Sequence, residues 1–316
     1  MKIRVSIGSL AKLGLIEIES KYLPSTLYIL QYSEYGCSAS CKYCTQSRFT
    51  NIPKKFLSRI TWYPIEIDDL IKALNKHQNV FKRICIQTIL KRGFIEELIE
   101  IIESIRNNNI QLGLSIALTP VDTSILNKLA ELGVEFVGVG LDASSPRIFK
   151  SLGKPYDWLS YMKFIDNVTS IWGRATIHII VGLGESIEEY FSTARTIIDK
   201  GCTLALFPHV DPLTMKPSVE PWYYRLIQLI TYMVERGYCD LRDLYGLVEE
   251  ASLNPDKYID VFLTRGCPGC DRPYYTENPR GPFYNIYSHN HYAEYRNRLI
   301  LELSTAKKML GTILSA

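Results

Sequence analysis

The chain has 316 residues, 47% of them apolar, enough to bury one large core in a single catalytic barrel with an extension. Lys and Arg number 36 against 33 Asp and Glu, a net charge of +3. That balance argues against nucleic-acid binding and leaves an acidic carrier protein open as a partner. No apolar run approaches the roughly 18 residues of a membrane span and the first twenty residues carry no leader pattern, so the expected location is the cytoplasm, without membrane contact. In that setting eight cysteines point to metal binding or chemistry rather than to a disulfide scaffold.

Short β-branched or apolar runs bounded by Gly, Pro or polar residues predict strands over 27–32, 83–88, 111–118, 136–141, 176–181 and 203–207. Amphipathic segments such as 65–76, 94–107, 123–132 and 187–200 lie between them. This alternation predicts an α/β fold, a partial (βα)6 TIM-like barrel two units short of the full eight. After Pro212 the alternation stops. A helical stretch over 220–236, an irregular Cys- and Tyr-rich loop and a terminal amphipathic helix around 292–313 are expected there. The expected division is a barrel over 1–212 and a C-terminal extension over 213–316 that covers the barrel and does not fold by itself.

The segment YGCSASCKYCTQSR places Cys37, Cys41 and Cys44 in a Cys-x3-Cys-x2-Cys loop after the first predicted strand, at the end of a barrel strand where such folds put chemistry. Three thiolates can hold three irons of a 4Fe-4S cube and leave the fourth iron open, and soft sulfur suits iron. A structural zinc knuckle is the alternative, although zinc commonly takes four closed ligands in paired Cys-x2-Cys turns. Tyr43, one residue before the last cysteine, could pack beside an adenine.

The motif and its placement resemble the radical S-adenosylmethionine (SAM) superfamily, and CSASCKYCTQSR is most similar to its biotin synthase branch. The resemblance implies that the open iron chelates the amino and carboxylate groups of SAM, which is reductively cleaved to start radical chemistry. It also implies SAM contacts from later strands. The segment His178-Ile179-Ile180-Val181-Gly182-Leu183-Gly184-Glu185 resembles the family's G-x-I-x-G-x-x-E motif, with His178 in place of the first glycine. Gly182 would let backbone approach the adenine, and Glu185 would open a helix whose dipole suits an acid; a plain turn explains the same glycines. Asp142, at the end of the fourth strand, is implied to bond the ribose hydroxyls; the alternative is that Asp142 or Ser145 caps a helix. Gln87, in Ile86-Gln87-Thr88, marks the second-strand contact to the SAM amino group.

A second group, Cys267 and Cys270, stands in a Cys-Pro-Gly-Cys turn, whose backbone N–H groups can point at metal-bound sulfur. Cys85 shares a strand face with Gln87 and is the best further ligand for an auxiliary iron-sulfur cluster; the alternative is a small buried hydrophobe. Cys202 and Cys239 read as structural. The pairing of CSASCKYCTQSR with CPGCDRPYY is similar to the two-component lipoyl synthases, which insert sulfur into a protein-bound octanoyl chain. The partners this implies are an octanoylated lipoyl-carrier protein or peptide, a companion radical SAM protein and an electron donor such as ferredoxin. The chain departs from biotin synthase, whose auxiliary cysteines on the third and fifth strands are missing from QLGLSIAL and TIHII, and from single-chain lipoyl synthases, whose auxiliary cysteines precede the radical motif. Arg265, Arg272, Arg280 and the rings of Tyr274, Tyr275, Phe283, Tyr284 and Tyr287 surround the second motif, where they either wall an acyl channel or anchor an irregular tail. His178 and His209, near strand ends, could touch SAM or substrate; the alternative is that they are satisfied core histidines. A radical mutase, lyase or methylase with an electron-transfer cluster or zinc at the Cys-Pro-Gly-Cys turn is the competing enzyme class, and an iron-sulfur scaffold the non-enzymatic one.

Overall fold

The structure, a computed structural model, describes residues 1–77 and 79–314. Nine strands, β1 (Lys2–Ser6), β2 (Thr26–Gln31), β3 (Phe56–Leu57), β4 (Ile60–Glu66), β5 (Arg83–Gln87), β6 (Gly113–Leu118), β7 (Val134–Asp142), β8 (Thr176–Val181) and β9 (Thr203–Pro208), form one sheet in the order β3-β4-β1-β2-β5-β6-β7-β8-β9. From β2 onward every neighbouring pair is parallel. These are the six strands expected from the alternation, with ends shifted by one or two residues, and the sheet curls into a half-barrel. The expected α/β partial barrel is therefore the observed fold.

The sheet does not stop at β2. β1 lies antiparallel between β2 and β4, and β3 pairs antiparallel with β4. These strands were not legible as part of the repeating unit. β1 pairs with β4 across some sixty residues of chain, so no local βα alternation announces it, and its residue Arg4 is buried against the Tyr32 ring.

Helices pack on the outer face of the parallel strands. Phe94–Asn107 buries Leu98, Ile101, Ile102 and Ile105, an i, i+3, i+4, i+7 stripe. Ile187–Asp199 begins with a capping box in which Ser186 and Glu189 satisfy each other's backbone N–H. Trp158–Trp172, which starts at the Asp157 cap and ends at Gly173 with φ +70°, fills the crossover between β7 and β8.

Beyond the barrel, Pro221–Glu235 packs on Ile187–Asp199, and the terminal helix His289–Leu314 packs on Pro221–Glu235 and on Leu244–Leu253. Arg225, fully buried, binds Glu302 (Nε to Oε2, 2.9 Å) and donates to the Tyr284 carbonyl at 2.9 Å. One guanidinium thus ties two helices to the irregular segment that precedes the last of them. None of the helices in the described residues is long and apolar enough to cross a membrane.

Candidate functional site

In a strand, residues two apart share a face, and a curled sheet turns one face of every strand toward a common interior. On β2 that face carries Thr26, Tyr28 and Leu30, on β5 Arg83, Cys85 and Gln87, on β8 His178 and Ile180, and on β9 Ala205 and Phe207, with His209 just past its end. All line one cavity of about 350 Å³, within the usual size of a small-molecule site. Cys37, Cys41 and Cys44 also line it, at the C-terminal ends of the strands, and Cys267 and Cys270 line it at the other end. Cys85 faces inward, as its alternation with Gln87 implied.

The first cysteine loop is braced from several directions. Cys37 N–H donates to the Gln46 carbonyl at 2.7 Å, Lys42 N–H to the Leu152 carbonyl at 3.0 Å, and Lys54 Nζ to the Ser47 and Thr50 carbonyls at 2.7 and 2.9 Å. Gly36 (φ +81°) is required twice over, since a Cβ there would stand 2.4 Å from the Gln46 carbonyl oxygen. Ala39 N–H points at Cys37 Sγ at 3.4 Å. Burial raises the Cys41 thiol, against the pull of Lys154, and pushes Cys44 up to about 12, with Cys41 adding to it. Among the described residues no three His, Cys, Asp or Glu side chains close on a single-ion site. A cube-shaped cluster asks for a different arrangement, one thiolate per iron, and three soft donors with a backbone N–H aimed at sulfur are the right chemistry for it.

Beside this loop Tyr43 Oη donates to Asp142 Oδ2 at 2.5 Å, and Lys154 Nζ binds Asp142 Oδ2, the Gly140 carbonyl (2.5 Å) and Tyr43 Oη (3.2 Å). Lys154 is buried over the Tyr161 ring at 4.7 Å. Burial works against its ammonium, but Asp142, Tyr161 and Cys41 together outweigh this and the net shift is upward. Asp142 adopts φ +66°, a region costly for a non-glycine residue. It caps no helix: Ser145 does that, accepting from Ile148 N–H at 3.3 Å. Lys154 escaped the sequence reading. The only signal was a Gly-Lys-Pro turn after the fourth strand, where Gly153 (φ +72°) passes so close to Ser40 that a Cβ would lie 2.6 Å from its carbonyl oxygen.

At the base of the cavity the Cys267–Cys270 turn is closed by Cys270 N–H to the Cys267 carbonyl (2.9 Å). The strand starts hold it in place: Ser25 Oγ and Thr26 Oγ1 donate to the Gly269 carbonyl at 2.8 and 2.9 Å, and Arg83 Nε to the Pro268 carbonyl at 3.1 Å. Cys267 Sγ donates to Thr176 Oγ1 at 3.5 Å, Tyr28 Oη lies 3.6 Å from Cys270 Sγ, and Gln87 Nε2 donates to Cys85 Sγ at 3.0 Å. Burial raises the Cys85 thiol, with Cys267 and Cys270 as its next strongest influences, so the three sulfurs are electrostatic neighbours. Arg272 is buried with its guanidinium carbon 3.8 Å from the Phe207 ring centre, and its Nε has no hydrogen-bond partner. Three thiols beside an orphaned guanidinium N–H suit an anionic sulfur-rich group. Tyr274 and Tyr275 also line the cavity, whereas Tyr284 and Tyr287 anchor the tail: Tyr284 Oη donates to the Val219 carbonyl and Tyr287 Oη accepts from Tyr274 N–H.

His178 lines the cavity from β8. Its ring sits over Gly138, where a Cβ would come within 2.7 Å of Nε2, and burial pushes its pKa down to about 4, so the imidazole is neutral. His209 pairs through Nδ1 with Ser218 Oγ at 2.6 Å at the cavity's edge. Two candidates stand apart. Gly182 and Glu185 do not line the cavity; a Cβ on Gly182 would meet Val219 at 2.7 Å, and the Glu185 carboxylate accepts from Gly182 and Leu183 N–H at 2.6 and 2.9 Å. They build the turn after β8, and Ser186, not Glu185, caps the helix. Cys202 is buried near Thr169 and Cys239 is exposed, and neither lines the cavity.

Residues 34–197, over half the chain, match the Radical SAM superfamily. Curated relatives include the biotin synthases of Hydrogenobaculum sp. (strain Y04AAS1), 22% identical over 56% of this chain and 59% of that one, and of Aquifex aeolicus (strain VF5), 23% identical over 57% and 55%. The biotin synthase of Thermotoga neapolitana is 24% identical over 69% of this chain and 82% of its own. The chain thus spans little more than half the length of the first two. Among solved structures, a methylornithine synthase superposes with a TM-score of 0.51 at 12% identity over 67% of this chain and 62% of its own. An FeFe-hydrogenase maturase gives 0.51 at 10% identity over 67% and 50%. Those two likenesses concern the fold, a half-barrel whose strand ends here converge on a Cys-x3-Cys-x2-Cys loop. Fold, motif and sequence match agree: this chain belongs to the radical SAM superfamily, whose members work with a 4Fe-4S cluster and SAM.

Proposed function

We propose that the chain is a sulfur-insertion enzyme, one component of a lipoyl synthase acting on an octanoyl chain carried by a protein or peptide. In this reading Cys37, Cys41 and Cys44 hold the 4Fe-4S cluster that cleaves SAM, and Cys85, Cys267 and Cys270 hold an auxiliary iron-sulfur cluster. The carrying observation is that both cysteine groups line the same cavity, with no wall between a radical source and a second sulfur-rich site. When bound, the clusters and SAM would supply a radical able to remove hydrogen and a sulfide able to take up the resulting carbon radical.

The chain's own residues would orient these groups. Asp142 and Tyr43 would meet SAM beside the first loop, and Arg272 would place a cation and a free N–H beside the auxiliary cluster. Leu30, Ile60, Trp62, Ile89, Ile180 and Phe207 give the cavity apolar walls, suited to an aliphatic chain and to keeping water from a radical. An electron donor such as ferredoxin and a companion radical SAM protein complete the proposed system.

The test is anaerobic reconstitution with iron counting, then mass spectrometry of an octanoyl-lysine peptide incubated with SAM and reductant. Replacing Cys37, Cys41 and Cys44 together by Ala should abolish 5′-deoxyadenosine formation. Cys267→Ala with Cys270→Ala should lower iron by about one cluster, keep SAM cleavage and lose carbon–sulfur bond formation. A double variant that keeps all its iron and still thiolates the peptide overturns the reading, and loss of zinc with iron unchanged would move the chain to the mutase, lyase or methylase class.

A further inference from the structure

The Cys267–Cys270 turn is a wall between two spaces. Inside is the shared cavity. Outside, at the N-terminal ends of the strands, lies an open cleft of about 630 Å³ bordered by Ser25, Lys82, Thr203, Asp260, Arg265 and Ser288. Gly266, Cys267 and Cys270 line both spaces, and every lining residue common to the two belongs to this turn. The wall is one chain thick. Pro268 and Gly269 are exposed, and at Gly266 a Cβ would sit 3.2 Å from Cys270 Sγ, so the missing side chain leaves the sulfur thinly covered.

We infer that this cleft is a loading port, through which ferrous ion and hydrosulfide reach Cys85, Cys267 and Cys270 without passing the SAM and substrate end of the barrel. The inference rests on the auxiliary cluster proposed above, and the physical argument is desolvation. Inside, the cavity shared by the two cysteine groups is walled by Tyr28, Leu30, Trp62 and Phe207 as well as by Gln87, His178 and Arg272, and stripping hydration from a small ion along its apolar walls is costly. The outer cleft carries charges of both signs, Lys82 and Arg265 against Asp260 and Asp271, and a volume of that size holds on the order of twenty waters. Hydrated ions of either charge can therefore come within one chain's thickness of the thiols. The same side chains that fix the turn, Ser25, Thr26 and Arg83, bind only its carbonyls, and its sulfurs make only the long contacts to Thr176 and Tyr28. If sulfide is consumed in turnover, such a port allows the second centre to be refilled while the barrel's other end stays occupied.

Lys82 and Thr203 are exposed residues of the cleft that do not line the inner cavity, so Lys82→Trp and Thr203→Trp plug the port from two sides. In metal-free protein, labelling with N-ethylmaleimide is followed by peptide mass mapping. Each plug should slow modification of Cys267 and Cys270 at least tenfold and leave that of Cys37, Cys41 and Cys44 unchanged, which also reports an intact fold. When ferrous ion and sulfide are added, the plugs should delay uptake of the second cluster's iron only. Labelling and iron uptake at Cys267 and Cys270 that neither plug alters would place their access inside the cavity and overturn the inference. Because neither readout requires a thiolated product, failure of the sulfur-insertion reading and failure of the port are separately visible.

Discussion

The hydroxyl of Tyr43 donates to Asp142 Oδ2 at 2.5 Å across 99 residues of sequence, joining the loop of the first cysteine group to the end of β7. Lys154 closes the triangle from beneath. A carboxylate held there by a phenol and a buried ammonium is oriented before any ligand arrives, which lowers the entropic cost of binding.

Asp142→Asn keeps the shape of this group and removes its charge. Equilibrium binding of SAM to reconstituted protein should weaken by roughly tenfold or more, the value of a charged hydrogen bond to a ribose hydroxyl, with iron content unchanged. Unaltered SAM affinity would reduce Asp142 to a partner of Lys154.

Cys85→Ala separates a metal ligand from a small buried hydrophobe. As a ligand, Cys85 is needed for the second cluster, so iron per chain should fall toward the first cluster's complement while 5′-deoxyadenosine formation persists. The stability cost should stay near 1 kcal/mol, since only one sulfur's packing is lost. Full retention of iron would make Cys85 a packing residue.

Glu302→Ala should destabilise the chain by about 3–5 kcal/mol, because it leaves the Arg225 guanidinium buried without a counter-charge. Chemical denaturation measures this. The paired change Arg225→Met with Glu302→Leu should recover much of the loss, since no charge is then stranded; a double variant as unstable as the single one would contradict that account.

His291 gives the tail a dependence on pH. Its ring packs against Phe283 and Tyr287 with centroids 4.7 and 4.5 Å away, and its Nδ1 accepts from Tyr287 N–H at 3.2 Å. Burial pushes its pKa down from 6.5 to about 4. Between those values the unfolded chain binds a proton that the folded one does not, so the stabilisation is present above pH 6.5 and is lost as pH falls toward 4. Denaturation of metal-free protein at pH 7 and pH 4.5 should show that His291→Gln loses less stability on acidification than the parent chain. Equal losses would place the acid sensitivity elsewhere.

The sequence by itself determined the repeating unit and the first loop. Six β-branched runs alternating with amphipathic helices impose a parallel sheet, because each strand and its following helix bury one another locally. A Cys-x3-Cys-x2-Cys loop carries its spacing in contiguous residues, and the inward face of Cys85 followed from a period of two. What depends on distant chain segments was decided only by tertiary structure. β1 and β4 pair across some sixty residues, Lys154 reaches Asp142 because Gly153 can pass beside Ser40, and the Cys267–Cys270 turn meets Cys85 at the base of the barrel because Ser25, Thr26 and Arg83 fasten it there. Gly182 and Glu185 show the converse. Their spacing resembles a SAM contact, but spacing does not record what packs around a turn: Val219 stands against Gly182, and the Glu185 carboxylate accepts the turn's own N–H groups.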